Sequence, residues 1–309
     1  MQNRYQKHLD CLGSKAFLTI ITDKDSLFVD EVFTTLISKV EDFEERFSRF
    51  LGDSELTRFN QSSGRKNAIS PQLKDILIET NKMSDITSNI FSPFILPSLQ
   101  KSGYTSSWTN KDLISPDFSN RQDNSDFEIK IGENWAEIPK NSAIDLGGIG
   151  KGYLLDQLSN YLDKTDISNY WLSLGGDIIC NGQDMNNKPW QISIADALDD
   201  RLVLDYTENR HGVKMAIATS GVTKRKGIHN NKAWNHIIDP RTNEPIKNNI
   251  LTVTVTANNA VTADVMAKCI VIEGPDKAKK LVKNKRISGF LMQYLGKSSK
   301  IEICKENIN

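Results

Sequence analysis

The segment from Asp145 to Gly152 (DLGGIGKG) places a carboxylate, four glycines and a lysine directly before a predicted helix. Glycines let backbone N–H groups come close to a phosphate, and the N-terminus of a helix favours an anion. Lys151 adds a cation for a diphosphate, and Asp145 can accept hydrogen bonds from a hydroxyl or an imide nitrogen. The spacing is that of neither a Walker loop nor a Rossmann fingerprint. A glycine turn that only lets the helix pack closely is therefore an equal alternative.

Three further segments combine glycine or polar groups with predicted strands. LGGD at 174–177 lies between two strands, where paired glycines let a ligand or a second backbone approach. ATSG at 218–221 ends another strand with the hydroxyls of Thr219 and Ser220. HIIDPRT, which begins at His236, brings together an imidazole, a carboxylate and a guanidinium. Taken alone, His236 is more often structural than catalytic, and DPRTN is also a favourable turn sequence.

The elements that must position these groups follow from hydrophobic periodicity. Residues 16–21 predict a strand, and apolar residues at helical spacing over 32–47 predict a helix capped by Asp30. A second helix begins at Ser70-Pro71, and a third covers about 262–272. The second half is strand-rich without regular βαβ alternation. This pattern predicts an α+β fold with mixed or antiparallel sheets and flanking helices in a single compact domain.

The domain boundaries follow from changes in composition along the chain. Residues 1–10 are polar and predict an N-terminal tail, and the domain is expected to cover 11–305. The stretch at about 101–126 is rich in Ser, Asn and Asp and predicts a mostly irregular insertion within that domain.

Charge and hydropathy exclude several classes of partner. The 309 residues carry 39 Lys plus Arg against 39 Asp plus Glu, so no net field attracts nucleic acid. No apolar run is long enough for membrane insertion. We recognise neither a signal-peptide core nor a lipobox, and we therefore expect a cytoplasmic protein. The four cysteines are far apart, without zinc spacing.

Five segments in a fixed order carry a resemblance to a known family. They are FSRFLGDSELTRFN at 47–60, IDLGGIGKGY at 144–153, LSLGGDI at 172–178, ATSG with HIIDPRTNEPI within 218–246, and LTVTVTANNAVTADVMAKCIVIEG at 251–274. In order and spacing this set resembles the ApbE family of flavin transferases, the FAD:protein FMN transferases. CLGS at 11–14 matches the family's opening strand segment, so the resemblance covers roughly 11–305.

The resemblance implies a reaction and its participants. Such enzymes bind FAD, cleave its pyrophosphate and join FMN by a phosphoester to a threonine of a target protein, with release of AMP. The chemistry is phosphoryl transfer, which calls for a divalent cation such as Mg²⁺, in-line placement of the hydroxyl and a proton acceptor. The implied partners are FAD and a flavin-accepting protein.

The resemblance also assigns roles to positions of this chain. It implies that Asp145 and Lys151 contact the flavin nucleotide, and that the Gly148 carbonyl and Asp264 bind the metal. It implies that His236 transfers a proton or stabilises phosphate, so His236 and Asp264 are the candidate catalytic residues. The remaining positions that it assigns to nucleotide binding are Leu12, Phe50, Ile90, Phe91, Ser92, Thr219, Ser220 and Ile237.

Two departures from the family pattern affect these expectations. The family typically has a threonine metal ligand four residues after the metal aspartate, and this chain has Lys268 there. A charged ammonium cannot ligate a hard cation. Three outcomes stay open. In the first, the lysine swings away so that water takes the place of the missing ligand, and in the second its charge does part of the metal's work. In the third outcome catalysis is lost or altered while FAD binding remains, and slow FAD pyrophosphatase activity is one form of this. In addition, the usual F-D-P-T is FSPF at 91–94.

Overall fold

The computed structural model describes residues 2–124, 126–210, 212–274, 277–278, 287–294 and 301–305, the last segment as backbone only. The strands are β1 (Asn3–Cys11), β2 (Ser14–Thr22), β3 (Asn67–Ala68), β4 (Lys130–Ile131), β5 (Trp135–Glu137), β6 (Asn169–Leu174), β7 (Asp177–Asn181), β8 (Gln191–Ala195), β9 (Val203–Glu208), β10 (Met215–Gly221), β11 (Lys226–His229), β12 (Lys232–Asn235), β13 (Ile238–Asp239), β14 (Glu244–Pro245), β15 (Ile250–Ala257), β16 (Ile287–Tyr294) and β17 (Ile301–Lys305).

The helices are α1 (Ser26–Phe47), α2 (Glu55–Gln61), α3 (Pro71–Ile86), α4 (Leu96–Lys101), α5 (Gly150–Asp163) and α6 (Ala260–Glu273). Among the described helices, none combines the length and the apolar character that a membrane crossing requires.

An eight-stranded sheet forms the centre of the fold, in the order β1-β2-β6-β7-β10-β15-β16-β17. Every neighbouring pair in this sheet is antiparallel. The predicted α+β class with antiparallel sheets and flanking helices is therefore confirmed.

The two faces of the central sheet are covered differently. Ile179 and Ala218 belong to the main core beneath the helices, where α6 packs on β10 and β15 and α5 lies beside α6. Their neighbours Ile178 and Ile217 point to the opposite face, into a smaller core that includes Trp190. Because side chains alternate along a strand, these nearly continuous apolar runs are buried on both sides.

Residues 3–10 were expected to belong to a polar tail, and this expectation is wrong. Strand β1 pairs with β2 from Asn3 opposite Thr22 to Cys11 opposite Ser14. Leu12 and Gly13 form the two-residue turn with φ of 52° and 64°, as hairpin turns of this length require. The polar composition reflects an edge strand with mostly exposed side chains, which a sequence pattern does not distinguish from a tail.

One of the two predicted helix caps is confirmed by the structure and the other is wrong. Ser70 caps α3, and its hydroxyl accepts a hydrogen bond from the Leu73 N–H at 3.1 Å, as predicted. Helix α1 begins one turn earlier than expected, and its cap is Asp25 instead of Asp30. The Asp25 carboxylate accepts from the Phe28 N–H at 2.9 Å.

The polar insertion at 101–126 is irregular, as predicted, but it is anchored to the domain. The side chain of Gln100 donates to Ser115 at 3.0 Å and accepts from the Phe118 N–H at 2.7 Å. Ser107, Trp108 and other insertion residues border the cleft that is described below. The insertion therefore forms part of the candidate site.

Candidate functional site

One cleft collects most of the residues that the sequence singled out. It lies between the β1–β2 turn, the C-terminal end of α1, the glycine turn before α5, and the segment that carries His236. The predicted site residues that line it are Leu12, Phe50, Asp145, Gly148, Lys151, His236, Ile237 and Lys268.

The other predicted residues lie outside the lining of this cleft within the described part of the chain. Thr219 is on β10, and its backbone N–H donates to Asp177 at 3.1 Å. Ser220 is buried beside it. Of the strip from Ile90 to Ser92, Phe91 lies behind the glycine turn, where a methyl group added at Gly148 would come within 2.9 Å of its ring.

An ion pair fixes Asp145 at the base of the cleft. The Arg49 Nε atom lies 2.9 Å from one carboxylate oxygen of Asp145, and both side chains are at least nine-tenths buried. The Gly147 N–H donates to the other oxygen at 2.7 Å. Arg49 also donates two hydrogen bonds to the Tyr104 carbonyl, at 3.1 and 3.2 Å. Sequence reasoning missed Arg49, although it lies within the FSRF segment that supported the resemblance.

Phe50 and Tyr104, which both border the cleft, form an aromatic wall beside this base, and their two rings meet edge to face at 61°. The Arg49 guanidinium carbon lies 4.3 Å from the Phe50 ring centroid and 4.5 Å from that of Tyr104. Tyr104 stacks on Trp234 with centroids 5.6 Å apart and planes 22° apart. Aromatic rings at the side of a cleft offer apolar surface to an aromatic ligand. Tyr104 and Trp234 were also missed, because neither has a local sequence signal.

The glycine turn serves both purposes that the sequence left open. Gly147 and Gly148 border the cleft. Gly152 instead permits close packing of α5 against α6, since an added methyl group would lie 2.6 Å from the Ala260 carbonyl oxygen. Asn60, fully buried, positions the turn by exchanging hydrogen bonds of 2.9 and 2.8 Å with the backbone of Ile144.

A cluster of charged side chains lies at the start of α5 and α6. Asp264 on α6 is almost completely buried and accepts a hydrogen bond from the Gly152 N–H at 3.3 Å. The Lys268 ammonium lies 3.2 Å from Asp264 Oδ1 and donates to the Gly148 carbonyl at 3.0 Å. Burial by itself would raise the pKa of Asp264, but the charges of Lys151 and Lys268 outweigh it and hold that pKa below its ordinary value.

Lys151 connects this cluster to the central sheet. Its ammonium pairs with Asp177 at the start of β7 and lies 4.0 Å from Asp264 Oδ2. Burial lowers the pKa of Lys151 to about 8, which is still above neutral pH, so the ammonium form predominates. Asp177 belongs to the LGGD segment, and its role as partner of Lys151 was not predicted.

His236 carries a neutral imidazole in the cleft. Its Nδ1 atom lies 3.3 Å from the Arg225 carbonyl oxygen. Because a carbonyl only accepts, this contact assigns the proton to Nδ1 and leaves Nε2 as an acceptor. Burial, together with the positive charges of Arg225 and Lys268, lowers the pKa of His236 to about 3. A bound diphosphate would oppose this effect because its negative charge favours the imidazolium.

Arg225 is a further cation that sequence reasoning missed. It lines the cleft beside His236. Within the described residues its guanidinium makes neither a hydrogen bond nor an ion pair. A guanidinium without a protein partner is suited to bidentate recognition of a phosphate.

The donor set around Asp264 does not fit a divalent metal ion. A hard cation takes about six oxygen ligands. Asp264 and the Gly148 carbonyl are the two ligands that the family resemblance implies, and the Lys268 ammonium already bonds to both. Among the described residues, no group of three or more His, Cys, Asp and Glu side chains could hold a metal.

Comparison with solved structures identifies the fold. Flavin Transferase ApbE from Vibrio cholerae superposes with a TM-score of 0.80 at 24% identity, covering 99% of this chain and 98% of that one. The ApbE protein from Thermotoga maritima gives a TM-score of 0.82 at 22% identity, covering 97% and 96%. The chain therefore has the fold of the ApbE proteins.

Sequence comparison gives the family itself. The ApbE family model matches residues 12–291. The FAD:protein FMN transferase of Vibrio cholerae is 29% identical over 245 residues, 77% of this chain and 72% of the relative. The FAD:protein FMN transferase of Haemophilus influenzae is 27% identical over 265 residues, which are 82% of this chain and 75% of the relative. The chain belongs to the ApbE family, and the resemblance seen in the sequence is confirmed.

Proposed function

We propose that the protein is an FAD:protein FMN transferase. It cleaves the pyrophosphate of FAD, transfers the FMN phosphoryl group to a hydroxyl of a target protein and releases AMP. The observation that carries the proposal is the convergence of an aromatic wall, three cations and a neutral histidine in one cleft of a chain whose curated relatives bear this name. An acceptor threonine and a cytoplasmic location are finer predictions that rest on the sequence.

The diphosphate of FAD is proposed to lie among Lys151, Lys268 and Arg225. These cations offset its charge and the further charge that develops as the bridging bond breaks. The flavin is proposed to lie against the aromatic wall formed by Phe50 and Tyr104, which offers apolar ring surface to its largely apolar ring system.

His236 is proposed to accept the proton of the attacking hydroxyl at Nε2. The hydroxyl oxygen forms a bond to the phosphorus of the FMN half, and the bond from that phosphorus to the bridging oxygen breaks. AMP leaves with the bridging oxygen and its electron pair, so no redox partner is needed. None of the steps given to these residues passes through a metal ion.

The test is a transfer assay with the purified protein, FAD and magnesium. The acceptor is a flavin-accepting domain with an acceptor threonine. Expected results are AMP release and a target that remains fluorescent after denaturation. The matched control is a target with that threonine replaced by valine, which should stay unlabelled. Retention of FAD without AMP release would refute the proposal.

A further inference from the structure

We infer that the Lys268 ammonium takes the place of the divalent cation in this protein, so that transfer from FAD proceeds without a bound metal. The inference rests on the proposed function, and it goes further by assigning the cationic group that faces the diphosphate.

The first observation is the position of the ammonium. Lys268 Nζ is 3.0 Å from the Gly148 carbonyl oxygen and 3.2 Å from Asp264 Oδ1. Lys268 lies one helical turn after Asp264 on α6, so both side chains project on the same side of that helix. The ammonium thus bonds to both groups that would otherwise ligate a metal.

The second observation is that the surrounding groups match one positive charge. Asp264 is buried, and its other carboxylate oxygen accepts from the Gly152 N–H, with the Lys151 ammonium 4.0 Å away. A dication at this point would be added to two ammonium groups, of which Lys151 is paired with Asp177, and among the described residues Asp264 is the carboxylate that lies close to both. Like charges repel strongly in a buried site, so metal entry would require Lys268 to leave.

The third observation is that the side chain of Lys268 has a defined position. Its side chain is 14% exposed. An added methyl group at Gly148 would lie 3.8 Å from Lys268 Cδ, which shows that the stem runs along the glycine turn.

The ammonium also retains a donor for substrate. An ammonium has three N–H donors, and the protein uses two of them here. Lys268 lines the same cleft as Lys151, Arg225 and His236. A fixed lysine can bind a diphosphate as a point charge, as lysines do in other phosphate sites. We therefore assign to Lys268 both the positive charge that replaces the divalent cation and a contact with the diphosphate.

The first test uses the wild-type protein. Transfer is measured after exhaustive dialysis against EDTA, with EDTA in the assay, and compared with the rate in magnesium. Binding of Mn²⁺ is followed independently by electron paramagnetic resonance, with and without FAD. We expect equal rates and no protein-bound Mn²⁺. A rate abolished by EDTA, or one tightly bound Mn²⁺ per chain, would overturn the inference because Lys268 would then give way to metal.

The second test converts the lysine site into a metal-binding site. Lys268→Thr restores a hydroxyl beside Asp264 and should bind Mn²⁺, with transfer that is lost in EDTA and regained in magnesium. Lys268→Met supplies neither charge nor ligand, and its rate should fall about 10²- to 10³-fold in both conditions, as when one oriented donor is removed. The control Lys247→Thr changes an exposed lysine and should behave as wild type.

Circular dichroism shows whether each variant folds, and the wild-type measurements decide the question if they do not. Failure of the proposed function has a different signature, because it gives no AMP from the wild type in either EDTA or magnesium. Lys268→Met with wild-type rates in EDTA would show that the ammonium contributes nothing and would also overturn the inference.

Discussion

Replacement of Arg49 by methionine should destabilise the protein more than the same replacement of an exposed arginine does. Methionine keeps much of the buried stem volume but removes the guanidinium that pairs with Asp145 at 2.9 Å. The carboxylate of Asp145 then stays buried, and the Gly147 N–H is its one remaining partner among the described residues. The Tyr104 carbonyl loses both of its hydrogen bonds from Arg49.

The magnitude follows from the burial of the pair. Removal of one member of a buried ion pair costs about 3–5 kcal/mol, because the remaining charge is not compensated. For a chain of this size, each kcal/mol shifts the midpoint of thermal unfolding by about 2 °C, so the expected decrease for Arg49→Met is about 6–10 °C. Arg58 is exposed, and Arg58→Met should change the unfolding free energy by less than about 0.5 kcal/mol.

Calorimetric or circular-dichroism unfolding of both variants at neutral pH measures the difference. A double variant with Asp145→Asn in addition should recover part of the loss, since the uncompensated charge is then gone. An Arg49→Met protein within about 1 kcal/mol of the wild type would refute the reasoning, because the pair would then not carry the cost of a buried charge.

Three further predictions concern the cleft and its support. His236→Ala should lower kcat about 10²- to 10⁴-fold. In the wild type, kcat/KM should show no loss attributable to His236 between pH 8 and about 5, and it should fall only towards pH 3. The reason is that neutral His236 persists above its pKa of about 3. A midpoint near 6.5 in the pH profile of the free enzyme would contradict this. Arg225→Gln should weaken FAD binding about 10- to 100-fold in a fluorescence titration, with unchanged thermal unfolding because the guanidinium has no partner among the described residues. Gly152→Ala should lower the unfolding free energy by about 1–3 kcal/mol through its clash with the Ala260 carbonyl, and unaltered urea unfolding would argue against that packing.

The sequence predicted those features whose causes lie within a few residues. The Ser70-Pro71 start of α3 is one example, because a cap and its N–H partner are three residues apart. Asp30 was predicted as the cap of α1 because the apolar stripe was taken to begin at Val32, whereas Val29 in the first turn is already buried and Asp25 is the cap. Strand β1 was missed because an exposed edge strand needs no apolar face, and its partner β2 is visible only in the folded sheet.

The ordered motifs by themselves determined the family and eight of the residues that line the cleft, and the absence of regular βαβ alternation predicted the α+β class. Only the tertiary structure decided which group each of those residues meets. Arg49 reaches Asp145, Tyr104 stacks on Trp234, and Lys268 contacts a carbonyl 120 positions earlier in the chain. Such pairings depend on how helices and strands pack, and a charged or aromatic residue carries no local mark of its distant partner. For Lys268 the sequence left three outcomes open. The fold put its ammonium between Gly148 and Asp264, because α6 is buried along most of its length and Asn60 positions the glycine turn through hydrogen bonds to Ile144.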